Sequence, residues 1–290
     1  MISDIIKLIR PSHWVKNGVV LAGLIFAGKA ETPPLLQNAL LAFVAFCLLS
    51  SAVYVLNDLV DRKRDRMHPL KKNRPIASGK VSSAKAVIVA VVLAGSGVAL
   101  ALVISQAFLT VALAFLAINI FYTVILKNIV IIDVMTIAAG FVLRAYGGVV
   151  AIQVVFSEWL LITTFVLALF LGLGKRRHEL TFLQDSAASH RQILEKYSPY
   201  LLDQLIGVVT ASTVITYFFY TMSREVQDKL HTPYLFVTIP FVIYGIFRYL
   251  YLVHKEAQGG SPTTMLLTDL PLLIDVVLWL ASVVVILYIL

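Results

Sequence analysis

The chain has 290 residues, 59% hydrophobic and only 14% charged, which leaves too little polar side chain to coat a water-soluble domain. It carries 24 Lys and Arg against 16 Asp and Glu, a net charge of +8. Without a continuous basic and aromatic surface, that excess points to membrane topology and anionic ligands, and away from nucleic acid. The apolar runs lack the period-2 alternation of a lipid-facing barrel, so helices are the spanning elements that satisfy their own backbone in a bilayer. The predicted fold class is an all-α polytopic membrane protein, one integral membrane domain over residues 1–290. Nine spans are expected, at about 15–28, 36–56, 84–105, 107–126, 129–154, 158–174, 204–222, 233–253 and 270–290.

The first span follows the string RPSHWVKN, residues 10–17. A basic stretch, an apolar stretch and Ala27-Gly28-Lys29-Ala30 share the layout of a cleavable signal peptide. Pro11, Trp14 and Asn17 suit an interfacial helix entering the membrane better, and no cleavage is expected. The second span holds Cys47, the only cysteine, read as packing, with no disulfide or metal chemistry.

Directly after that span comes NDLVDRKRDRMHPLKKNRPIASGK, residues 57–80, with 3 carboxylates and 8 Lys or Arg side chains. At ~100° per helical residue, Asn57, Asp58, Asp61 and Asp65 fall within roughly 100° of one another and make one acidic face. Carboxylates so close raise one another's pKa unless a cation neutralises them, and hard oxygen donors at this density suit Mg²⁺. Arg62, Lys63, Arg64, Arg66, Lys71, Lys72 and Arg74 are candidates to hold phosphate directly. The bland alternative is an amphipathic loop whose charges pair with each other and with lipid headgroups.

Further along, Tyr122 and Lys127 close the fourth span. Arg144 lies inside the fifth, where an ionised side chain needs a cavity or a partner; it is read as lining a substrate pocket or as pairing with Asp133 or Glu158. The sixth span runs into GKRRHELTFLQD, residues 174–185, which carries Lys175, Arg176, Arg177 and Glu179. Tyr197 follows, read like Tyr122 as a hydrogen-bond donor to phosphate or as an ordinary interfacial tyrosine. Asp275, in the last span, neighbours the cytoplasmic mouth or serves as a structural partner. His13, His68, His178, His190, His231 and His254 form no evident metal-ligand set.

With the N-terminus inside, 20 of the 24 Lys and Arg fall on the cytoplasmic side, as the positive-inside rule requires. The C-terminus is then external, and the polar segments 57–83 and 175–203 both face the cytoplasm, a natural pair of contributors to one site. The expected location is the inner (plasma) membrane.

The spacing N-D-x-x-D-x-x-x-D at 57–65, followed by R-P-I-A-S-G at 74–79, resembles the first aspartate-rich motif of the UbiA superfamily of intramembrane prenyltransferases. The resemblance covers essentially the whole chain. It implies a bundle of about nine transmembrane helices around a cytoplasm-facing cavity. Common aromatic prenyltransferases of that family carry a second D-x-x-x-D where this chain has Lys175, Arg176, Arg177 and Glu179, so a second all-carboxylate metal site is not expected. That departure, with RPSHWVKN and LGKRRHEL (173–180), looks like the decaprenyl-phosphate phosphoribosyltransferase branch.

The resemblance implies transfer of 5-phosphoribose from phosphoribosyl diphosphate (PRPP) to a polyprenyl phosphate, with Mg²⁺ as cofactor and diphosphate released. Asp58, Asp61 and Asp65 are the implied catalytic metal ligands. Asn57, Arg74, Lys127, Lys175, Lys16, Arg176, Arg177 and Glu179 are the implied substrate contacts, with Tyr122 and Arg144 beside them. The expected partners are the two substrates and the lipid bilayer, with a homo-oligomer left open. The competing readings are an aromatic prenyltransferase using a polyprenyl diphosphate and, in another class, a transporter of a phosphorylated metabolite.

Overall fold

The computed structural model describes residues 2–67, 71–154, 157–183, 192–254 and 262–289. His68, His190, Lys255 and residues 184 and 185 of the second polar string lie outside them. Among the described residues the regular elements are all helical. In chain order they are α1 (Ile2–Ile9), a 3-10 run (Pro11–Leu21), α2 (Ala22–Phe26), α3 (Pro33–Met67), α4 (Ser83–Ile104), α5 (Gln106–Val124), α6 (Ile132–Ile152) and α7 (Glu158–Leu183). There follow α8 (Pro199–Met222), α9 (Arg224–Leu230), α10 (Ile239–His254, entered through a 3-10 turn at Tyr234–Thr238), α11 (Pro262–Thr268) and α12 (Leu270–Tyr288). Eight of these segments are long and apolar enough to cross a membrane, the architecture of a multi-pass membrane protein.

Helix ends follow local chemistry. Ser105 ends α4 in an extended conformation, and its side chain accepts from Phe108 N–H to cap α5, so one residue turns the chain between two spans. Ser198 caps α8 and Asp269 caps α12 in the same manner. Apolar residues that a soluble protein would bury stay on the outside, such as Val91 at 65% and Val103 at 76% exposure, where lipid is their solvent.

The chain divides into two compact units, Met1–Gly23 with Thr32–Thr136 and Leu143–Val154, and Leu24–Glu31 with Ile137–Val142 and Val155–Leu290. The first is centred on Phe46, whose ring meets Phe108 and Phe115 edge-on at 5.7 and 5.2 Å. The predicted span 15–28 is not a regular helix in the structure, which builds it from the 3-10 run and the five-residue α2. Polar anchoring explains this: the buried Asn17 accepts from Arg144 at 2.7 Å and from Ser50 at 3.2 Å, and Trp14 donates to Ser51 at 3.0 Å. Gly148 admits the run, since a Cβ there would stand 1.9 Å from the Val20 carbonyl oxygen. Arg144 also donates to Ser50 and lies 4.6 Å from the Phe115 ring centre, tying α3, α5, α6 and the 3-10 run together.

The second unit packs Leu160, Tyr217, Tyr220, Leu235, Val283 and Ile286 into a core. Tyr217 and Thr238 share a hydrogen bond of 2.7 Å and Trp279 donates to Tyr217 at 3.0 Å, so the polar ends of these aromatics are satisfied.

Candidate functional site

In the first unit, α3 continues past its apolar portion as a polar helix to Met67 and carries the predicted acidic face on one side. Asp58 is 2% exposed and Asp65 4% exposed. Carboxylates buried to that degree need cations, and the chain brings them from distant places. Arg10 Nη2 donates to both oxygens of Asp58, at 2.6 and 2.8 Å. Arg74 Nη1 donates to Asp58 Oδ1 at 2.9 Å and to Asp65 Oδ2 at 2.7 Å. Lys127, in a 3-10 turn after α5, donates to Asp61 at 2.7 Å and reaches Asn57 Oδ1 at 3.5 Å.

The segment 74–81 explains how Arg74 is held. Ser78 N–H and Ser78 Oγ both donate to the Arg74 carbonyl at 2.9 Å, Gly79 turns the chain at φ +79°, and Val81 N–H returns to Pro75. Ile76, Ala77 and Val81 are buried, Ile76 and Val81 with Leu8 and Val55 in a small apolar cluster. The R-P-I-A-S-G string is thus a hydrogen-bonded turn, seated by Ile76, that sets a guanidinium over the acidic face. Arg10 is held by a left-handed backbone (φ 53°) ahead of Pro11 and lies 5.3 Å from the Tyr54 ring centre.

Asp58 and Asp65 therefore converge on a single nitrogen of Arg74, while Asp61 turns to Lys127. Among the described residues no three His, Cys, Asp or Glu side chains gather into a metal-holding group. Mg²⁺ commonly takes only one or two carboxylates and fills its remaining positions with water and phosphate oxygens. Two hard-oxygen donors already meeting at one cationic point fit such an ion. Arg62 donates instead to Ser83, and Arg66 to the Ala77 carbonyl. Lys16 is half-buried in the 3-10 run and Tyr122 half-buried near the end of α5.

In the second unit, α7 likewise continues beyond its apolar portion and carries Lys175, Arg176, Arg177 and Glu179. Arg176, only 1% exposed, donates to Glu179 at 2.6 Å, and Lys175 Nζ lies 3.8 Å from the same carboxylate. Arg177 pairs with Asp203 of α8 at 2.5 Å, and His254 reaches that oxygen at 3.3 Å. Lys175, with 43% of its side chain exposed, is the most open of the three basic groups. Tyr197 is buried at 4% exposure.

Sequence reasoning missed Arg10 as a site residue, along with Asp203 and His254. For Arg10 the string RPSHWVKN held the signal. For Asp203 the cue was a lone acid just past the first turn of the helix that begins at Pro199.

The UbiA prenyltransferase family profile matches residues 18–268. The chain is 30% identical over 294 residues to decaprenyl-phosphate phosphoribosyltransferase of Mycolicibacterium smegmatis, covering 98% of this chain and 92% of that one. To the protein of the same name in Corynebacterium glutamicum it is 32% identical over 297 residues, covering 98% and 86%. Among solved structures, a UbiA homolog from Archaeoglobus fulgidus described as bound to GPP and Mg²⁺ superposes with a TM-score of 0.74 at 20% identity, covering 97% of this chain and 99% of that one, which shows a common fold.

Proposed function

The chain belongs to the UbiA prenyltransferase family, and on that premise we propose that it transfers 5-phosphoribose from PRPP to a polyprenyl phosphate and releases diphosphate. The observation that carries this reading is the likeness, over 98% of the chain, to enzymes named for that transfer. The charge of the two polar helix ends supports it. One end presents buried carboxylates meeting at a cation, and the other presents Lys and Arg, which bind phosphate oxygens without a bridging metal.

In the proposed reaction a phosphate oxygen of the lipid forms a bond to ribose C1 while the bond from C1 to the diphosphate oxygen breaks, its electron pair leaving with diphosphate. A phosphate monoester is largely ionised near neutral pH, so no general base is required. What the protein supplies is position and charge. Asp58 and Asp65, with Asp61 and Asn57 beside them, would hold Mg²⁺, which when bound neutralises charge on the diphosphate. Arg74 and Lys127, which pair with these acids, would orient phosphate oxygens at the same helix end. In the second unit Lys175 would receive a substrate phosphate, with Arg176 and Glu179 fixing its surroundings and Arg177 setting α7 against α8. Lys16, Tyr122 and Arg144 complete the proposed set, Arg144 by holding the 3-10 run.

The same proposal places the enzyme in the inner membrane with its N-terminus and both polar helix ends in the cytoplasm, where PRPP would be met. It is tested by incubating purified protein with Mg²⁺, PRPP labelled in the ribose and polyprenyl phosphate. Label should enter the lipid extract as phosphoribose, and diphosphate should appear in equal amount. Prenyl transfer to an aromatic acid from a prenyl diphosphate, with PRPP left unused, would overturn the reading.

A further inference from the structure

Asp275 lies in α12, five residues after its start at Leu270, about 8 Å along a spanning helix, and is 7% exposed. Among the described residues no hydrogen bond or ion pair joins its carboxylate to another group. The nearby Arg248 is engaged elsewhere, donating to both oxygens of Asp269 at 3.0 and 2.7 Å. A carboxylate in a spanning helix without a partner is costly, and such a group normally marks a ligand or ion path. It is packed against α10: a Cβ on Gly245 would stand 2.8 Å from Asp275 Oδ2, so the carboxylate rests on a glycine backbone.

One helical turn further along α10 stands a second such group. Tyr249 is 4% exposed, and its hydroxyl is buried with no hydrogen-bond partner. Its ring lies 5.1 Å from that of Phe170, and its hydroxyl would be 3.1 Å from a Cβ on Gly174, the residue that precedes Lys175. Residues four apart share a helix face, so Gly245 with the carboxylate against it and Tyr249 belong to one face of α10. That face carries one strong acceptor and one hydroxyl, and it adjoins the point on α7 where the basic sequence begins.

A lone carboxylate repels phosphate and is too few ligands for a divalent cation. It is satisfied without a change of charge by hydroxyl donors, and a tyrosine hydroxyl can give or accept a bond beside it. We propose that Asp275 and Tyr249 form a subsite for the vicinal hydroxyls of a sugar phosphate whose phosphate is received at Lys175. This deepens the phosphoribosyl reading and rests on it, since the part of PRPP that carries no phosphate is a pentose with two free hydroxyls.

The test uses detergent-purified full-length protein and two probes, ribose 5-phosphate and 2-deoxyribose 5-phosphate, with affinities read by calorimetry. The parent should bind the ribose compound at least about tenfold more tightly, the value of a charge-assisted hydrogen bond. Asp275→Asn should bring the two affinities to within about threefold, chiefly by weakening ribose 5-phosphate. Tyr249→Phe should reduce the preference by a smaller factor. A merely structural Asp275 would weaken both probes equally and keep the preference; that result, or a parent with no preference, overturns the proposal. Gly245→Ala keeps the charge but sets a methyl group 2.8 Å from Oδ2, and should erode the preference in the same direction even if Asp275→Asn does not survive purification. Label transfer from PRPP to lipid is scored separately. A parent that shows the preference without that transfer retains the subsite and refutes the reaction.

Discussion

The two polar helix ends use the same charges in opposite order. On α3 the helix supplies the acids, and the bases arrive from Arg10, Arg74 and Lys127, which are 48, 16 and 66 positions away from their partners. On α7 the helix supplies the bases, and the acids are Glu179 one turn on and Asp203 from the next helix. The first arrangement buries Asp58 and Asp65 and faces its acids with cations. The second leaves Lys175 as its most open charge. A helix end built from acids offers a cation site, and one built from bases offers a phosphate site. Two such ends on one chain suit a reaction in which both donor and acceptor carry phosphate.

The sharpest way to break this comparison is to neutralise the acid that both arginines share. Asp58→Asn keeps side-chain size and should lower phosphoribosyl transfer about a hundredfold or more, a cost of ~3 kcal/mol or more in transition-state stabilisation. Initial rates of label incorporation into lipid measure it, and near-parental Mg²⁺-dependent rates would remove Asp58 from the metal site. Arg74→Ala attacks the same end from the basic side. Removing one partner of a buried ion pair costs about 3–5 kcal/mol; with 26% of the Arg74 side chain exposed, roughly half of that is expected. Thermal unfolding in detergent should show the loss, and Mg²⁺ should raise the melting temperature of Arg74→Ala more than that of the parent, because an ion that binds only the folded state stabilises it. Equal shifts would mean that Asp58 and Asp65 do not take a cation once the guanidinium is gone.

Most of the acidic end was legible because helical periodicity alone puts Asn57, Asp58, Asp61 and Asp65 on one face, and Arg74 and Lys127 stood out as bases near the ends of spans. Arg10 was legible only as the first residue of the RPSHWVKN string. Its role depends on a left-handed residue ahead of Pro11, which turns the side chain onto a helix 48 positions away, and no spacing rule encodes that. Span positions were read well where an apolar run and its helix coincide, as in α4 and α5. They were read short where the helix outlasts the run, as in α3 and α7, because hydrophobicity marks the bilayer while the backbone continues as a polar helix beyond it. The 15–28 segment shows the reverse: an apolar stretch held on a 3-10 path by side-chain hydrogen bonds of the buried Asn17 and of Trp14 just ahead of it.

The basic end gives a test of intermediate size. If Lys175 receives a phosphate, Lys175→Ala loses a charge-assisted contact worth about 1.5–3 kcal/mol and transfer should fall about ten- to a hundredfold. Lys175→Asp should be worse, since it sets a second acid beside Glu179. Assays with PRPP and with prenyl diphosphate plus an aromatic acid, at matched Mg²⁺, separate the possible roles. An aspartate that improves prenylation would mean the helix end was a damaged cation site, and the contrast with α3 would collapse.

The smallest effect belongs to an ion pair of the second unit that lies outside both helix ends. Asp269 caps α12 through Leu272 N–H and accepts two bonds from Arg248, and those bonds hold its carboxyl below the ordinary carboxylate range. A depressed folded-state pKa stabilises the fold above the unfolded value of about 3.9, and the contribution is lost as pH falls through the folded value. Asp269→Asn retains the capping oxygen and removes only the charge. Its melting temperature should therefore lie slightly below the parent's at pH 7, with the gap closing as both are titrated below pH 4. The Asp269 carboxylate is 10% exposed against 2% for Asp58, so the gap should be smaller than for Arg74→Ala and should shrink in high salt. A gap as large as that of Arg74→Ala, or one that persists at low pH, would mean that burial is not what separates the strong pairs of α3 from the weak ones elsewhere.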